Sequence, residues 1–244
     1  MPRFFVCPDA VAEGKIVITG SDAHHIARSL RMAVGDSITV SDGTGKEYLA
    51  TLTRIRDEEC LCEITESRSS AAEPRRPIAL YMAYPKGDKM ETVVQKAVEL
   101  GATTVIPFES ERCIKRPSPE KADKQTARLQ RIAEEAAKQC GRAVLPTVER
   151  PITLDALISR IPSHSLTLFC YEGEARSLKA VLTERAEAAE DVAVIVGSEG
   201  GFSPAEAQRI TEAGAECVNL GPRILRCETA PDYVLSALSY VLEL

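Results

Sequence analysis

The chain has 244 residues, 44% of them apolar, which is enough for one large core or two smaller ones and ordinary for a globular protein. No apolar run approaches a membrane span, and the first seven residues are too short and too soon interrupted for a signal peptide, so a cytoplasmic location is expected. The net charge of −6 argues against a nucleic-acid partner until its distribution is read: residues 1–73 carry −4, residues 74–150 carry +5 and residues 151–244 carry −7.

A basic middle third inside an acidic chain is what a local phosphate-binding surface would leave, and equally what a solvated, lysine-rich helix face would leave. Residues 1–73 read as β-rich, with strands predicted at 15–19, 37–42, 47–54 and 60–66, punctuated by Gly35-Asp36 and Asp42-Gly43-Thr44-Gly45. Between the first two lies a predicted helix over 21–31, capped by Ser21 or Asp22, and a small barrel with one helix fits. Arg28 and Arg31 share a face of it with His24 one turn earlier, a group able to meet a phosphate backbone or to form a solvated helix edge. The polar, proline-bounded stretch 67–77 reads as a linker, which places a boundary between residues 1–73 and 74–244.

Beyond it strands alternate with helices. Strands are predicted at 78–84, 103–108, 166–171, 192–196 and 216–220, and helices at 89–100, 121–140, 177–187, 204–213 and 231–242. This alternation means α/β architecture, a parallel sheet covered on both faces. Val192-Ala193-Val194-Ile195-Val196 has the unbroken apolar character of a strand buried on both sides. Gly197-Ser198-Glu199-Gly200-Gly201 follows it, where open α/β sheets bind ligands. Ser203, Pro204 and Glu206 then spell a helix start with a capping box.

The glycine loop matches neither a Walker phosphate loop, which requires a lysine, nor a dinucleotide fingerprint, and Glu199 would repel a pyrophosphate. A ligand without phosphates, or one carrying positive charge, tolerates it. The eight cysteines include no C-x-x-C pair and no zinc-ligand spacing, and read as reduced thiols with no metal site.

Gly197 to Glu206 together with Leu220-Gly221-Pro222-Arg223-Ile224-Leu225-Arg226-Cys227-Glu228-Thr229-Ala230 resembles the SPOUT superfamily of RNA methyltransferases, and within it the ribosomal RNA small subunit methyltransferase E (RsmE) family. Arg3-Phe4-Phe5, His25 to Arg31, and the segments Lys86-Gly87-Asp88-Lys89-Met90-Glu91, Gln95 to Gly101 and Glu135 to Arg142 extend the resemblance over nearly the whole chain. This sequence departs from the family pattern at Cys227, where threonine or alanine is usual, and near Leu129, where tryptophan is usual.

The resemblance implies an N-terminal PUA-like β-barrel that binds RNA and a SPOUT domain whose C-terminal end forms a deep trefoil knot. It implies S-adenosyl-L-methionine as cofactor, held by Gly197, Ser198, Glu199, Gly200, Gly201, Leu220, Gly221, Ile224, Leu225, Arg226, Thr229 and Ala230, with Cys170, Tyr171 and Glu172 as the other wall. The reaction implied is methylation of N3 of a uridine in 16S rRNA. Arg226 could stabilise charge on a uracil carbonyl, and Glu228 or Glu199 could accept the N3 proton, directly or through water; equally, Arg226 and Glu228 could only pair with each other or with backbone to hold the knot. Arg3, His24, Arg28, Arg31, Lys86, Arg112, Lys115, Arg116 and Arg142 are the candidate RNA contacts. A homodimer is implied, with Val234, Leu235, Leu238, Val241 and Leu242 offered either to that interface or to the chain's own core. A non-catalytic RNA-binding ribosome-assembly factor is the competing function.

Overall fold

A computed structural model describes residues 1–114 and 119–244; Lys115 and Arg116 lie outside the described residues. The chain divides into two compact units, Met1–Glu73 with Ala137–Leu145, and Pro74–Ala136 with Pro146–Leu244.

The first unit holds strands β1 (Arg3–Phe5), β2 (Val11–Ala12), β3 (Lys15–Thr19), β4 (Ser37–Ser41), β5 (Lys46–Ile55) and β6 (Glu59–Ser69), with the short helix α1 (Gly20–His24). They form one curled sheet in the order β1-β4-β5-β6-β3-β2, parallel only where β1 meets β4. Alternation drives it: Ile16 and Ile18 of β3 point into a core with Phe4, Ile26, Ile38, Val40, Leu52, Cys60 and Cys62 while Lys15 and Thr19 face water. β1 and β2 are too short to show such a period. Neither Ser21 nor Asp22 caps α1. Thr19 holds that position without a side-chain bond, and the Asp22 carboxylate instead accepts from Lys138 Nζ at 3.0 Å. The helix widens over His25–Ser29, where Leu30 N donates to His25 O, and Arg31, at φ +50°, turns the chain out of it.

Residues 137–145 join this unit through Glu73, whose carboxylate accepts from Ala143 N at 2.6 Å, Val144 N at 2.9 Å and Arg142 Nη2 at 3.0 Å. A buried carboxylate, Glu47, accepts from Arg3 Nη1 at 2.7 Å and Arg68 Nε at 3.0 Å. Burial works to raise the Glu47 pKa, but the hydrogen bonds and charges of Arg3 and Arg68 outweigh it and the net shift is downward. Glu47→Gln is therefore expected to cost about 2 kcal/mol, chiefly by leaving the half-buried Arg3 guanidinium without its carboxylate, since Arg68 is exposed. A group whose folded pKa is depressed contributes stability above its unfolded pKa and loses it as pH falls through the folded value. Thermal melts of the two proteins should accordingly differ at neutral pH and converge below about pH 4; a gap that persists in acid would show that charge is not its origin.

The second unit is a parallel sheet with helices packed on it. In chain order it contains β7 (Ile78–Ala83), α2 (Lys89–Glu99), β8 (Thr104–Glu109), α3 (Pro119–Cys140, whose last turn belongs to the first unit), β9 (Thr147–Val148), β10 (Ile152–Thr153) and α4 (Leu154–Arg160). After these come β11 (Leu166–Cys170), β12 (Arg176–Ser177), α5 (Leu178–Arg185), β13 (Val192–Val196), α6 (Pro204–Glu212), β14 (Glu216–Asn219) and α7 (Thr229–Glu243). The strand order is β10-β8-β7-β13-β11-β14-β12, with β9 beside β8 and every pair parallel.

β13 lies between β7 and β11 with all five residues buried, as its uninterrupted apolar run requires. α2 buries Met90, Val93, Val94, Ala97 and Val98 and ends at Gly101, whose φ of +91° suits only glycine. α7 begins at Thr229, two residues earlier than the sequence indicates, and the seven-residue α4 is not legible from periodicity. No helix among the described residues is long and apolar enough to cross a membrane.

Candidate functional site

Beyond the carboxyl ends of β11, β13 and β14 three loops enclose a cavity of about 970 Å³. Val196 to Phe202 forms one wall, Val218 to Cys227 with Ala230 a second, and Cys170 to Gly173 a third; Lys89 and Arg112 complete the lining. Of the residues suggested for a cofactor, all but Thr229 line it; Thr229 is exposed at the first turn of α7, where its amide donates to Arg226 O at 2.9 Å.

The glycine wall has little spare volume. A Cβ on Gly197 would stand 2.8 Å from the Phe202 ring, and one on Gly200 would stand 2.8 Å from Arg112 Cβ and 3.1 Å from Arg112 O. Arg112 Nη1 also donates to Gly200 O at 3.1 Å, which fixes that carbonyl. Phe202 stacks near Phe108 and meets Phe169 edge-on at 4.9 Å, and Phe169 stacks on Tyr171 at 5.4 Å, so an aromatic column supports two walls. The capping box opens α6 as the sequence indicates: Ser203 N donates to Glu206 Oε2 at 2.9 Å and Glu206 N to Ser203 Oγ at 3.3 Å. Glu206 Oε1 further accepts from Glu111 N at 2.7 Å, tying the loop after β8 to the same helix start.

Arg226 and Glu228 do not pair. Among the described residues the Arg226 guanidinium has no hydrogen-bond or ion-pair partner, and it is exposed at the cavity wall. Glu228 instead pairs with Lys89, 3.1 Å from Nζ, and the same Nζ lies 2.9 Å from Glu199. Lys89, absent from the residues the sequence singled out, thus joins carboxylates of two cavity loops. Lys86 reaches the cluster by its backbone, its amide 3.2 Å from each Glu199 oxygen.

The electrostatics follow from this arrangement. Hydrogen bonds that the ammonium donates to Glu199, then to Glu228, raise the Lys89 pKa. For Glu199, burial pushes upward but the Lys89 ammonium and backbone amides prevail; for Glu228, burial is outweighed by its own amide, the Cys227 thiol and Lys89, so both carboxyls are held below their usual range. Burial, reinforced by Glu228, pushes the Cys227 thiol up to about 12, so it stays protonated and inert as a nucleophile. The cluster therefore carries two negative charges and one positive at neutral pH, a locally negative point in a cavity that Arg112, Glu172, Arg223 and Arg226 also line.

Among the described residues Ser198 Oγ, buried in the loop that walls the cavity, has no hydrogen-bond partner. An orphaned buried hydroxyl, apolar cover from Leu220 and Leu225, exposed loop backbone and the Glu199 carboxylate in the glycine wall together fit an adenosyl group carrying a sulfonium.

The proposed RNA contacts separate into groups. His24, Arg28 and Arg31 are exposed in the first unit, Arg28 already paired with Asp57. Lys86 and Arg112 are exposed in the second. Arg142 is only 2% exposed and pairs with Glu73, so its charge is spent inside the first unit and it is removed from the phosphate contacts. Arg3 is half-buried against Glu47 and largely engaged there.

Residues 72–239 match the RNA methyltransferase domain, and residues 18–65 match the RNA methyltransferase PUA domain. Fold and matches together define an RNA methyltransferase with an attached PUA-like domain. The ribosomal RNA small subunit methyltransferase E of Bacillus subtilis is 36% identical over 234 residues, 93% of this chain and 90% of that protein. The same enzyme from Neisseria gonorrhoeae, solved bound to S-adenosyl methionine, is 32% identical with a TM-score of 0.89 over 99% of this chain and 98% of that one. A putative methyltransferase from Legionella pneumophila, solved with its cofactor SAM, is 29% identical with a TM-score of 0.87 over 98% and 96%. The chain belongs to the ribosomal RNA small subunit methyltransferase E family.

Proposed function

We propose that this protein transfers the methyl group of S-adenosyl-L-methionine to N3 of a uridine in 16S rRNA. The observation that carries the cofactor reading is the glycine-walled cavity at the strand ends, with its buried Ser198 hydroxyl, unpartnered among the described residues, and the Glu199 carboxylate in the same loop. Family membership supports rRNA as the substrate. When bound, S-adenosylmethionine supplies a methyl group on a positively charged sulfur, already a good leaving group. The loops 197–201 and 220–227 would hold it through backbone groups, with Tyr171, Leu220 and Leu225 excluding water. The unpaired Arg226 is suited to stabilise negative charge on a uracil carbonyl as N3 attacks. Glu199 and Glu228 are ionised and can accept a proton, but their lowered pKa leaves little driving force, so positioning and Arg226 carry the larger share.

Threading of the C-terminal end into a deep trefoil knot belongs to this reading. Its support is the sheet order, in which β14 inserts between β11 and β12, strands joined by only residues 171–175. RNA would approach over His24, Arg28 and Arg31 in the first unit and over Lys86 and Arg112 in the second, in the cytoplasm. A homodimer is supported by α7. Val234, Leu235, Leu238 and Leu242 are buried in the chain's own core, while Tyr233, Tyr240, Val241 and Leu244 form a second apolar stripe left exposed. Tyr240→Glu should shift the protein toward monomer in sedimentation, and an unchanged mass would remove this face from the interface.

Incubating the protein with methyl-labelled S-adenosylmethionine and unmodified small ribosomal subunits tests the function. The expected product is 3-methyluridine in digested 16S rRNA by mass spectrometry. Binding of neither S-adenosylmethionine nor S-adenosylhomocysteine by calorimetry, together with no label in RNA, would favour a non-catalytic assembly factor.

A further inference from the structure

We propose that Lys89 is a positioning residue: its ammonium clamps the two cavity loops to one another and to the start of α2, so that the donor site is assembled before the donor enters. The argument begins with connectivity. Glu199 sits in the loop after β13 and Glu228 at the end of the loop after β14, and Lys89 is the first residue of α2. One nitrogen reaches both carboxylates, at 2.9 and 3.1 Å, and the Lys86 amide doubles the hold on Glu199. Without the ammonium the two carboxylates would face one another as like charges and the loops would be driven apart.

Lys89 lines the cavity, but its nitrogen is committed to the two carboxylates, which separates positioning from substrate contact. Charges near the cluster come from every side. Cys227 Sγ lies 3.2 Å from Glu228 Oε2 and 4.0 Å from Lys89 Nζ, Lys96 pairs with Asp232 on the adjoining faces of α2 and α7, and Arg112, Glu172, Arg223 and Arg226 line the same cavity. None of these pairs with Glu199 or Glu228 through a charged side chain among the described residues, so none replaces Lys89.

The inference rests on the cofactor reading above, and its test separates the two. Hydrogen–deuterium exchange on the full chain without ligand should show residues 197–201 and 220–228 both exchanging faster in Lys89→Met, with Lys89→Arg restoring much of the protection. Calorimetry with S-adenosylmethionine should show affinity lowered about tenfold in Lys89→Met. Glu199→Gln and Glu228→Gln should each reproduce part of the loss, and adding Lys89→Met to both should cost little more, since members of one clamp are not additive. Acidification should add a second signature. Wild-type affinity should fall as pH drops through the depressed carboxyl pKa values, because protonation breaks the clamp, whereas Lys89→Met, with no clamp to break, should lack that limb. Unchanged exchange in both loops, or fully additive losses, would overturn the clamp. Wild-type protein that binds no donor while the exchange coupling persists would overturn the cofactor reading and leave the clamp as a purely structural device.

Discussion

Gly200→Ala is expected to lower the affinity for S-adenosylmethionine by about 100-fold or more while leaving the melting temperature within a few degrees of wild type. The two nearest atoms to the added methyl are Arg112 Cβ at 2.8 Å and Arg112 O at 3.1 Å. Neither can be moved by rotating a side chain, so the whole loop must retreat. The retreat breaks the Arg112 Nη1 to Gly200 O hydrogen bond and displaces the backbone that walls the cavity. Stability should survive because the loop is at the surface and β13 ends before it. Gly201→Ala is the matched control. That residue has φ +62° and nothing within 4 Å of an added Cβ, so its cost is backbone strain of about 1 kcal/mol, with no steric displacement. Isothermal titration and thermal melts on the pair separate the two causes; equal losses of affinity in both would show that strain and not volume sets the requirement.

The contrast explains what was legible in the sequence. A strand such as Val192–Val196, the capping box of Ser203 and Glu206, and the face of α2 are written in spacings of one to four residues, so a linear reading finds them. Three glycines in five residues mark a loop that needs glycine. They do not say that one of them abuts Arg112, because that contact spans 88 residues. Lys89 stands inside one of the matching motifs, but nothing near it in the sequence points to a role, since its two partners lie more than 100 residues further along the chain. Only the meeting of two loops with the start of α2, beyond the carboxyl ends of the strands, identifies it.

Charge misled in the opposite direction. Arg142 counted toward the basic middle third, yet its guanidinium is buried on Glu73, and Arg3 is turned to Glu47. Sequence shows that a side chain is cationic but not whether a carboxylate far away in the chain has already taken it. The return of residues 137–145 to the first unit is invisible for the same reason: α3 runs unbroken across that point, and its membership is decided by Glu73 and by Lys138 on Asp22.

Arg226→Ala is expected to reduce the single-turnover rate of methyl transfer by 10²-fold to 10³-fold, about the effect of removing one preorganised oxyanion donor, with donor affinity changed only a fewfold. The expectation follows from what Arg226 lacks. Had it been paired with Glu228, removal would have loosened the loop and lowered binding first. Glu228 is held by Lys89 instead, so the guanidinium is left at the cavity wall without a partner among the described residues. Its backbone carbonyl, by contrast, is engaged by the amides of Thr229 and Ala230 at 2.9 and 3.0 Å, which anchors the residue at the start of α7 and aims the side chain without holding its charge. A fixed backbone and an uncommitted cation are what stabilising a developing uracil anion requires, because the donor then costs no reorganisation when charge appears. Arg226→Lys should recover only part of the rate, since one ammonium replaces a planar fork. Measured with saturating donor and unmodified small subunits, a rate within twofold of wild type for Arg226→Ala would move the stabilisation of the uracil anion to another group and remove Arg226 from the chemistry.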